Sequence, residues 1–217
     1  MKNELRISLV CTALVAVVLF FVARWTDHAA LGVISKPVPV LAMAAILWTE
    51  RRDRVGHLIA VGLLAGAVGD VLLELDKSLF IPGLVAFLVD HLLVTGAFFA
   101  EESRPRLLRA APFALFGGAM VVILGPGLGA MSAPVGAYTL VIGLMMWRAA
   151  ARLPAEAPPS LRQWAGLVGA VVFAFSDSMI AIDTFYADLY DRGEAVMMSY
   201  WLGQLLIMSS VYPKRPN

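Results

Sequence analysis

Eight apolar stretches follow one another along the chain, each about long enough to cross a bilayer as a helix. They cover residues 5–22, 30–48, 58–75, 80–100, 107–124, 131–147, 164–182 and 195–211. A helix rises about 1.5 Å per residue, so roughly 20 apolar residues match about 30 Å of hydrocarbon. No water satisfies the backbone inside that layer, and runs of this length do so as helices. The expected fold is therefore all-α, a polytopic helical bundle in which residues 1–217 form a single transmembrane domain. Breakers fall between the stretches. Pro82-Gly83 opens the fourth, Gly125-Pro126-Gly127 is expected to part the fifth from the sixth, and Pro154 with Pro158-Pro159 parts the sixth from the seventh. The first stretch is expected to remain as a span, because it is long for a signal peptide and no small-residue cleavage site follows.

Composition agrees with a lipid solvent. Hydrophobic residues make up 60% of the chain, charged residues 15%, and the mean hydropathy is +0.80. An ordinary soluble domain carries about 25% charge. The net charge of +1 offers nothing to a nucleic acid, and no feature points to a protein partner. The single cysteine, Cys11, excludes an internal disulfide and a cysteine-based metal site.

The basic residues fix an orientation. Thirteen of the 17 lysines and arginines lie at the N-terminus, at the C-terminus, or in the connections after the second, fourth and sixth stretches. Only Arg24, Lys36, Lys77 and Arg192 lie on the other side. By the positive-inside rule both termini are cytoplasmic, and the span count is even. The expected location is the inner membrane of a bacterium.

Carboxylates enter the spans. Asp70 lies late in the third, Asp90 in the middle of the fourth, and Asp177 late in the seventh. A carboxylate at bilayer depth costs several kcal/mol unless paired, protonated or wetted. Either each is satisfied locally and aids helix packing, or they mark a site. The surroundings of Asp70 and Asp177 run parallel: a small residue, the aspartate, then a second aspartate six residues on, Asp76 and Asp183. That repeat suggests two four-helix halves related by an axis along the membrane normal. Both aspartates fall in the outer half of an outward-running span. Lys36 falls at similar depth, and Pro37 beside it can kink its helix and free a carbonyl. Glu74, four residues after Asp70, shares its face, as Tyr200 and Gln204 share one in the eighth stretch. With His91, near mid-depth, these residues are expected to converge on a polar pocket in the outer leaflet. Asp90 points about 100° away from His91, so the two cannot aim at one centre. Asp76, Asp183, Asp188, Asp191 and Glu194 read as solvated loop charges, with Asp183 the one to watch because it repeats Asp76.

The combined pattern resembles the YhhN-type lysoplasmalogenase family of eight-span membrane proteins. The resemblance rests on Lys36-Pro37, the run Gly69-Asp70-Val71-Leu72-Leu73, and the run from Phe80 to Leu88 leading to His91. Ser176-Asp177-Ser178 with Ile182, and the run from Ser199 to Leu206, complete it. Together they cover about residues 5–211. Val94 is a departure, since relatives carry a tyrosine three residues after the histidine; that role is open here or falls to Tyr200. Asp90 is a second departure.

The resemblance implies hydrolysis of the vinyl-ether bond of lysoplasmalogens, giving a fatty aldehyde and glycerophosphoethanolamine or glycerophosphocholine. Such a bond breaks when its β-carbon is protonated and water adds to the resulting oxocarbenium ion. That takes one acid and one carboxylate, and two carboxyl groups in a low-dielectric site supply both states. The resemblance thus points to Asp70 and Asp177 as the catalytic pair, with acid and base unassigned. Lys36 is expected to hold the phosphate, and His91, Tyr200 and Gln204 to orient water or glycerol hydroxyls. Glu74, Ser176 and Asp183 are the remaining candidate substrate contacts. The alkyl chain of a lysophospholipid would enter directly from the leaflet. No cofactor and no metal are expected. Three other readings stay open: a lipid-binding or scaffold protein without turnover, a transporter, since intramembrane carboxylates and a pseudo-repeat also suit alternating access, and a ceramidase-like metal-dependent hydrolase. The last has only His28, His57 and His91 to draw on for the histidine ligands zinc prefers.

Overall fold

A computed structural model describes residues 3–187 and 193–212. Lys2, Asp188, Asp191, Arg192, Lys214 and Arg215 of the sequence reading lie outside these residues. The described residues form helices and short connections, with no strand among them. The α-helices are α1 (Asn3–Trp25), α2 (Ala29–Ser35), α3 (Val38–Glu50), α4 (Arg54–Leu75), α5 (Phe80–Glu101), α6 (Ala111–Leu128), α7 (Ser132–Ala151), α8 (Leu161–Phe185) and α9 (Gly193–Val211).

Among the described residues, six segments are long and apolar enough to cross a membrane, and one of them, Leu107–Ala151, holds both α6 and α7. The eighth expected span, α9, is not among them, because Glu194, Tyr200, Gln204 and its serines dilute its apolar character. The outward faces are apolar: Leu115 is 75% and Val122 77% exposed, surface that lipid covers and water would not.

The second expected span is two helices. Pro37 has no N–H to give the carbonyl of Val33, and α2 ends at Ser35, capped by Lys36, while α3 begins at Val38. The expected break at Gly125-Pro126-Gly127 is overturned. Helix α6 runs through Pro126 to Leu128, and the chain turns at Gly129, the residue with φ +48°. Gly127 lies so close to α8 that a Cβ there would overlap the Phe185 carbonyl oxygen. This stretch is a packed helix end.

Capping side chains set other boundaries. Asp53 accepts the Gly56 N–H at 2.8 Å and starts α4. Asp76 accepts the Ser78 N–H at 2.7 Å in the 3-10 turn that leads into α5. Ser160 and Gln163 close a reciprocal capping box at the start of α8. Asp53 and Asp76 both titrate below the ordinary carboxylate range. For Asp76 the Ser78 hydrogen bonds are the cause. For Asp53 burial pushes upward, but the Gly56 amide and the Arg51 guanidinium outweigh it.

The chain divides into two compact units, one built on Met1–Ala97 and one on Phe98–Val211. In the first, the ends of α1 and α4 meet the start of α2: Ala23, His28, Gly32 and Glu74 line one cavity. At the other end the Trp48 ring of α3 lies 4.8 Å from His57 of α4, tilted by 41°. In the second unit, arginines tie three helix ends together. Arg152, at the end of α7, reaches Glu101 of α5 at 2.5 Å and Ser210 of α9 at 3.2 Å. Arg148 donates to the carbonyls of Glu102 and Arg104, and Arg109 to those of Ala150, Leu153 and Pro154. Helix C-termini leave carbonyls without partners, and these cations satisfy them. The ends of α5, α7 and α9 thus sit together, so α6 and α8 run the opposite way. Toward the other end Met120, Leu124, Leu128 and Val135 form an apolar core with Ile182 and Phe185 against it. Helices α8 and α9 cross at Gly169 and Gly203, each of which would place a Cβ within about 3 Å of the other helix's backbone.

Candidate active site

The first unit holds Lys36, Asp70, Glu74, Asp90 and His91. Asp70 is 1% exposed in α4, and Asp90 and His91 are equally buried in α5. Two glycines of α4 let α5 come this near. A Cβ on Gly69 would lie 2.7 Å from the Phe87 ring, and one on Gly62 would lie 2.7 Å from Asp90 Oδ1. Asp90 thus faces α4 a little over two turns before Asp70. Its burial belongs to the α4–α5 contact, a placement the sequence left open.

Lys36 and Glu74 meet directly. Lys36 Nζ donates to Glu74 Oε2 at 2.9 Å, joining the break between α2 and α3 to the last turn of α4. Both side chains are largely enclosed, 11% and 21% exposed, so the pair is weakly screened. The two charges that the sequence reading placed on one pocket are in contact.

The second unit holds Ser176, Asp177, Asp183, Tyr200 and Gln204. Asp177 is half-buried in α8, and Tyr138 of α7 donates its phenolic hydroxyl to Asp177 Oδ2 at 2.6 Å. The sequence reading passed over Tyr138. The available signal was a hydroxyl-bearing side chain in the interior of the sixth stretch. Val94 is a buried core residue of α5. Tyr200 is also buried and packs edge-on against Phe173 at 5.4 Å. Gln204, one turn along α9, is fully enclosed. Ser176 donates to the Val196 carbonyl at 2.9 Å, so its hydroxyl fastens α8 to α9. Asp183 is exposed near the end of α8, about 9 Å of helix rise beyond Asp177. Among the described residues no three His, Cys, Asp or Glu side chains are grouped to hold one metal ion.

Two cavities stand out among the described residues, and Glu74 lies on the wall of the first. One, of about 220 Å³ in the first unit, is lined by Ala23, Arg24, Asp27, His28, Gly32 and Glu74 among others. The other, of about 440 Å³ in the second unit, lies between α6 and α7; Phe113, Gly117, Gly136, Thr139 and Trp147 are among its walls, and no titratable group lines it.

Human lysoplasmalogenase TMEM86B is 32% identical over 186 residues, 81% of this chain and 73% of its own. Bovine lysoplasmalogenase TMEM86A is 34% identical over 165 residues, 73% of this chain and 67% of its own. A lysoplasmalogenase of Mycobacterium bovis is 32% identical over 183 residues, 80% of this chain and 66% of its own. No solved structure matches the chain. The YhhN family model matches residues 31–211, a stretch that contains the Lys36–Glu74 pair, Asp70, His91 and the Tyr138–Asp177 pair, and this chain belongs to that family.

Proposed function

We propose that this protein is an integral membrane lysoplasmalogenase, a hydrolase of the vinyl-ether bond of lysoplasmalogens. One observation carries the reading. Relatives named lysoplasmalogenase, mammalian and mycobacterial, are about a third identical to this chain over most of its length. The residues suit the reaction. Protonation of the vinyl β-carbon makes an oxocarbenium ion, water adds to its α-carbon, and the hemiacetal collapses to aldehyde and glycerophospholipid head. No redox step is involved, and the chemistry reduces to placing one proton, one negative charge and one water.

Asp70 and Asp177 are the proposed catalytic pair. Asp177 accepts a hydrogen bond from Tyr138. An oxygen so held suits the ionised partner, which stabilises the cation and takes a proton from the attacking water. Asp70, enclosed by α4 and its neighbours, is then the proton donor. His91, Tyr200 and Gln204 would orient water or glycerol hydroxyls. Lys36 and Glu74 would receive the polar head, with Ser176 and Asp183 as further contacts.

Finer topology belongs to the same proposal: eight spans as two four-helix halves, both termini in the cytoplasm of a bacterium, and the site in the outer leaflet. The bias of lysines and arginines supports it. The substrate is a lysophospholipid drawn laterally from the bilayer.

The test is aldehyde release from a lysoplasmalogen by purified wild type, Asp70→Asn and Asp177→Asn, with and without chelator. The proposal expects turnover that withstands chelation and falls by at least about 100-fold in both variants. Full activity in either would remove that residue from the pair. Uptake into vesicles without aldehyde release would replace the hydrolase by a carrier.

A further inference from the structure

We propose that the cavity beside Glu74 is a headgroup subsite. It takes a glycerophosphodiester ending in a primary ammonium, with the phosphate on Arg24 and the ammonium on Asp27. This rests on the hydrolase reading for its place in a reaction, but not for its existence.

The cavity holds about 220 Å³, far above the roughly 10–15 Å³ that admits one water. Arg24 and Asp27 line it with opposite charges, yet among the described residues neither side chain makes a hydrogen bond or ion pair. Three residues apart and both exposed, they form no ion pair with each other and stay open to a ligand. Two separated opposite charges complement a zwitterion. Glu74 adds a carboxylate to the wall, paired with Lys36, and Arg24 is a second cation for the phosphate beside Lys36.

The backbone at Asp27 gives a second, independent reason. Helix α1 closes with the His28 N–H donating to the Ala23 carbonyl at 2.8 Å, which leaves Asp27 left-handed at φ 51°. Glycine is the usual residue in such a closure, and aspartate is one of the few others that visits it, at some cost in free energy. A carboxylate is thus kept at a strained position on the lip of a cavity.

Distance along the helix links the cavity to the chemistry. Asp70 precedes Glu74 by four residues, about 6 Å of rise. That is about the length of the glycerol between the vinyl-ether oxygen and the phosphate of a lysoplasmalogen. Gly32 on the cavity wall lets Glu74 come close, since a Cβ there would lie 3.3 Å from Glu74 Oε1.

The experiment uses the full chain in detergent and a probe that cannot be cleaved, a saturated 1-O-alkyl lysophosphatidylethanolamine. Arg24→Gln and Asp27→Gly should each weaken its binding about tenfold. A neutral 1-O-alkylglycerol should bind both variants as it binds wild type. Asp27→Gly should also melt no lower than wild type, because glycine suits the left-handed position; lost affinity without lost stability separates a ligand contact from a packing role. Unchanged probe binding in either variant, or equal weakening for the alkylglycerol, would overturn the subsite. Free glycerophosphoethanolamine distinguishes the source. Competition that Arg24→Gln weakens means the soluble head is recognised by itself, and no competition beside an Arg24-dependent probe means the lipid-borne head is the ligand. Weakened binding in the variants of a protein that releases no aldehyde would keep the subsite and remove the hydrolase. Aldehyde release with KM unchanged in both variants would do the reverse.

Discussion

Tyr138 donates its phenolic hydroxyl to Asp177 Oδ2 at 2.6 Å, joining α7 to α8. The bond leaves the second carboxylate oxygen for other partners and fixes the plane of the group. A hydrogen bond to a charged group contributes about 1.5–3 kcal/mol. If that orientation matters in the transition state, Tyr138→Phe should lower kcat about 10- to 100-fold. Asp177→Asn should cost more, because the amide supplies no charge. Aldehyde release under saturating lysoplasmalogen measures both. Unaltered kcat in Tyr138→Phe would make the tyrosine a packing residue only.

The Lys36–Glu74 pair tests how far charge and structure are coupled at the broken helix. Removing one partner of an enclosed pair leaves the other without compensation and costs about 3–5 kcal/mol. Glu74 keeps some access to solvent, which favours the lower end of that range. Lys36→Met alone should therefore destabilise the protein clearly, and Lys36→Met with Glu74→Met much less. Thermal unfolding of the four forms in detergent closes the cycle. Additive losses would show that the pair contributes no coupling.

Much of this architecture is legible in the chain itself, for a physical reason. In a bilayer a long apolar run has few alternatives to a helix, so residues 58–75 could hardly read as anything but α4. Lys36-Pro37 announces its own break, because a missing N–H is a local fact. Pro126 misleads for the converse reason: a membrane helix tolerates proline when neighbours pack around it, and the actual turn falls at Gly129. The contacts of the site are harder to read. Lys36 and Glu74 are 38 residues apart and Tyr138 and Asp177 are 39 apart, so only tertiary packing pairs them. Arg148 and Arg152 read as loop charges, yet they are buried caps on helix ends.

The crossing of α8 and α9 makes a prediction about glycine. A Cβ on Gly169 would lie 2.8 Å from the Ile207 nitrogen, which is backbone and has nowhere to go. Gly136 of α7 has nothing within 4 Å of the same position. Gly169→Ala should lower the melting temperature, while Gly136→Ala should leave it unchanged or raise it, since alanine is favoured over glycine in a helix interior by about 1 kcal/mol. Equal effects at the two sites would mean the helices can separate without penalty.

Asp53 ties stability to pH at the start of α4. Burial alone would raise its pKa, but the Gly56 amide and Arg51 outweigh it and hold the carboxyl below its ordinary value of 3.8. A depressed folded pKa contributes stability that is complete above the unfolded value, about pH 4, and disappears as pH falls through the folded one. Asp53→Asn keeps an acceptor for the cap but loses the charge. It should melt below wild type at pH 7, and the gap should close as the pH falls below about 4. A gap that stays constant from pH 7 to pH 3 would assign the whole effect to the cap and none to the ionised carboxylate.

Orientation can be read from two exposed serines. Ser78 lies in the turn between α4 and α5, and Ser103 follows α5 among the arginines that tie the helix ends. Positive-inside topology places Ser78 outside the cell and Ser103 in the cytoplasm. In a Cys11→Ala background, which removes the one native thiol, Ser78→Cys should react with a membrane-impermeant maleimide on intact cells. Ser103→Cys should react only after permeabilisation. The opposite pattern would invert the molecule, and with it the leaflet from which a lysoplasmalogen reaches Asp70. Reaction of both on intact cells would mean that the residues between them, including all of α5, do not cross the membrane.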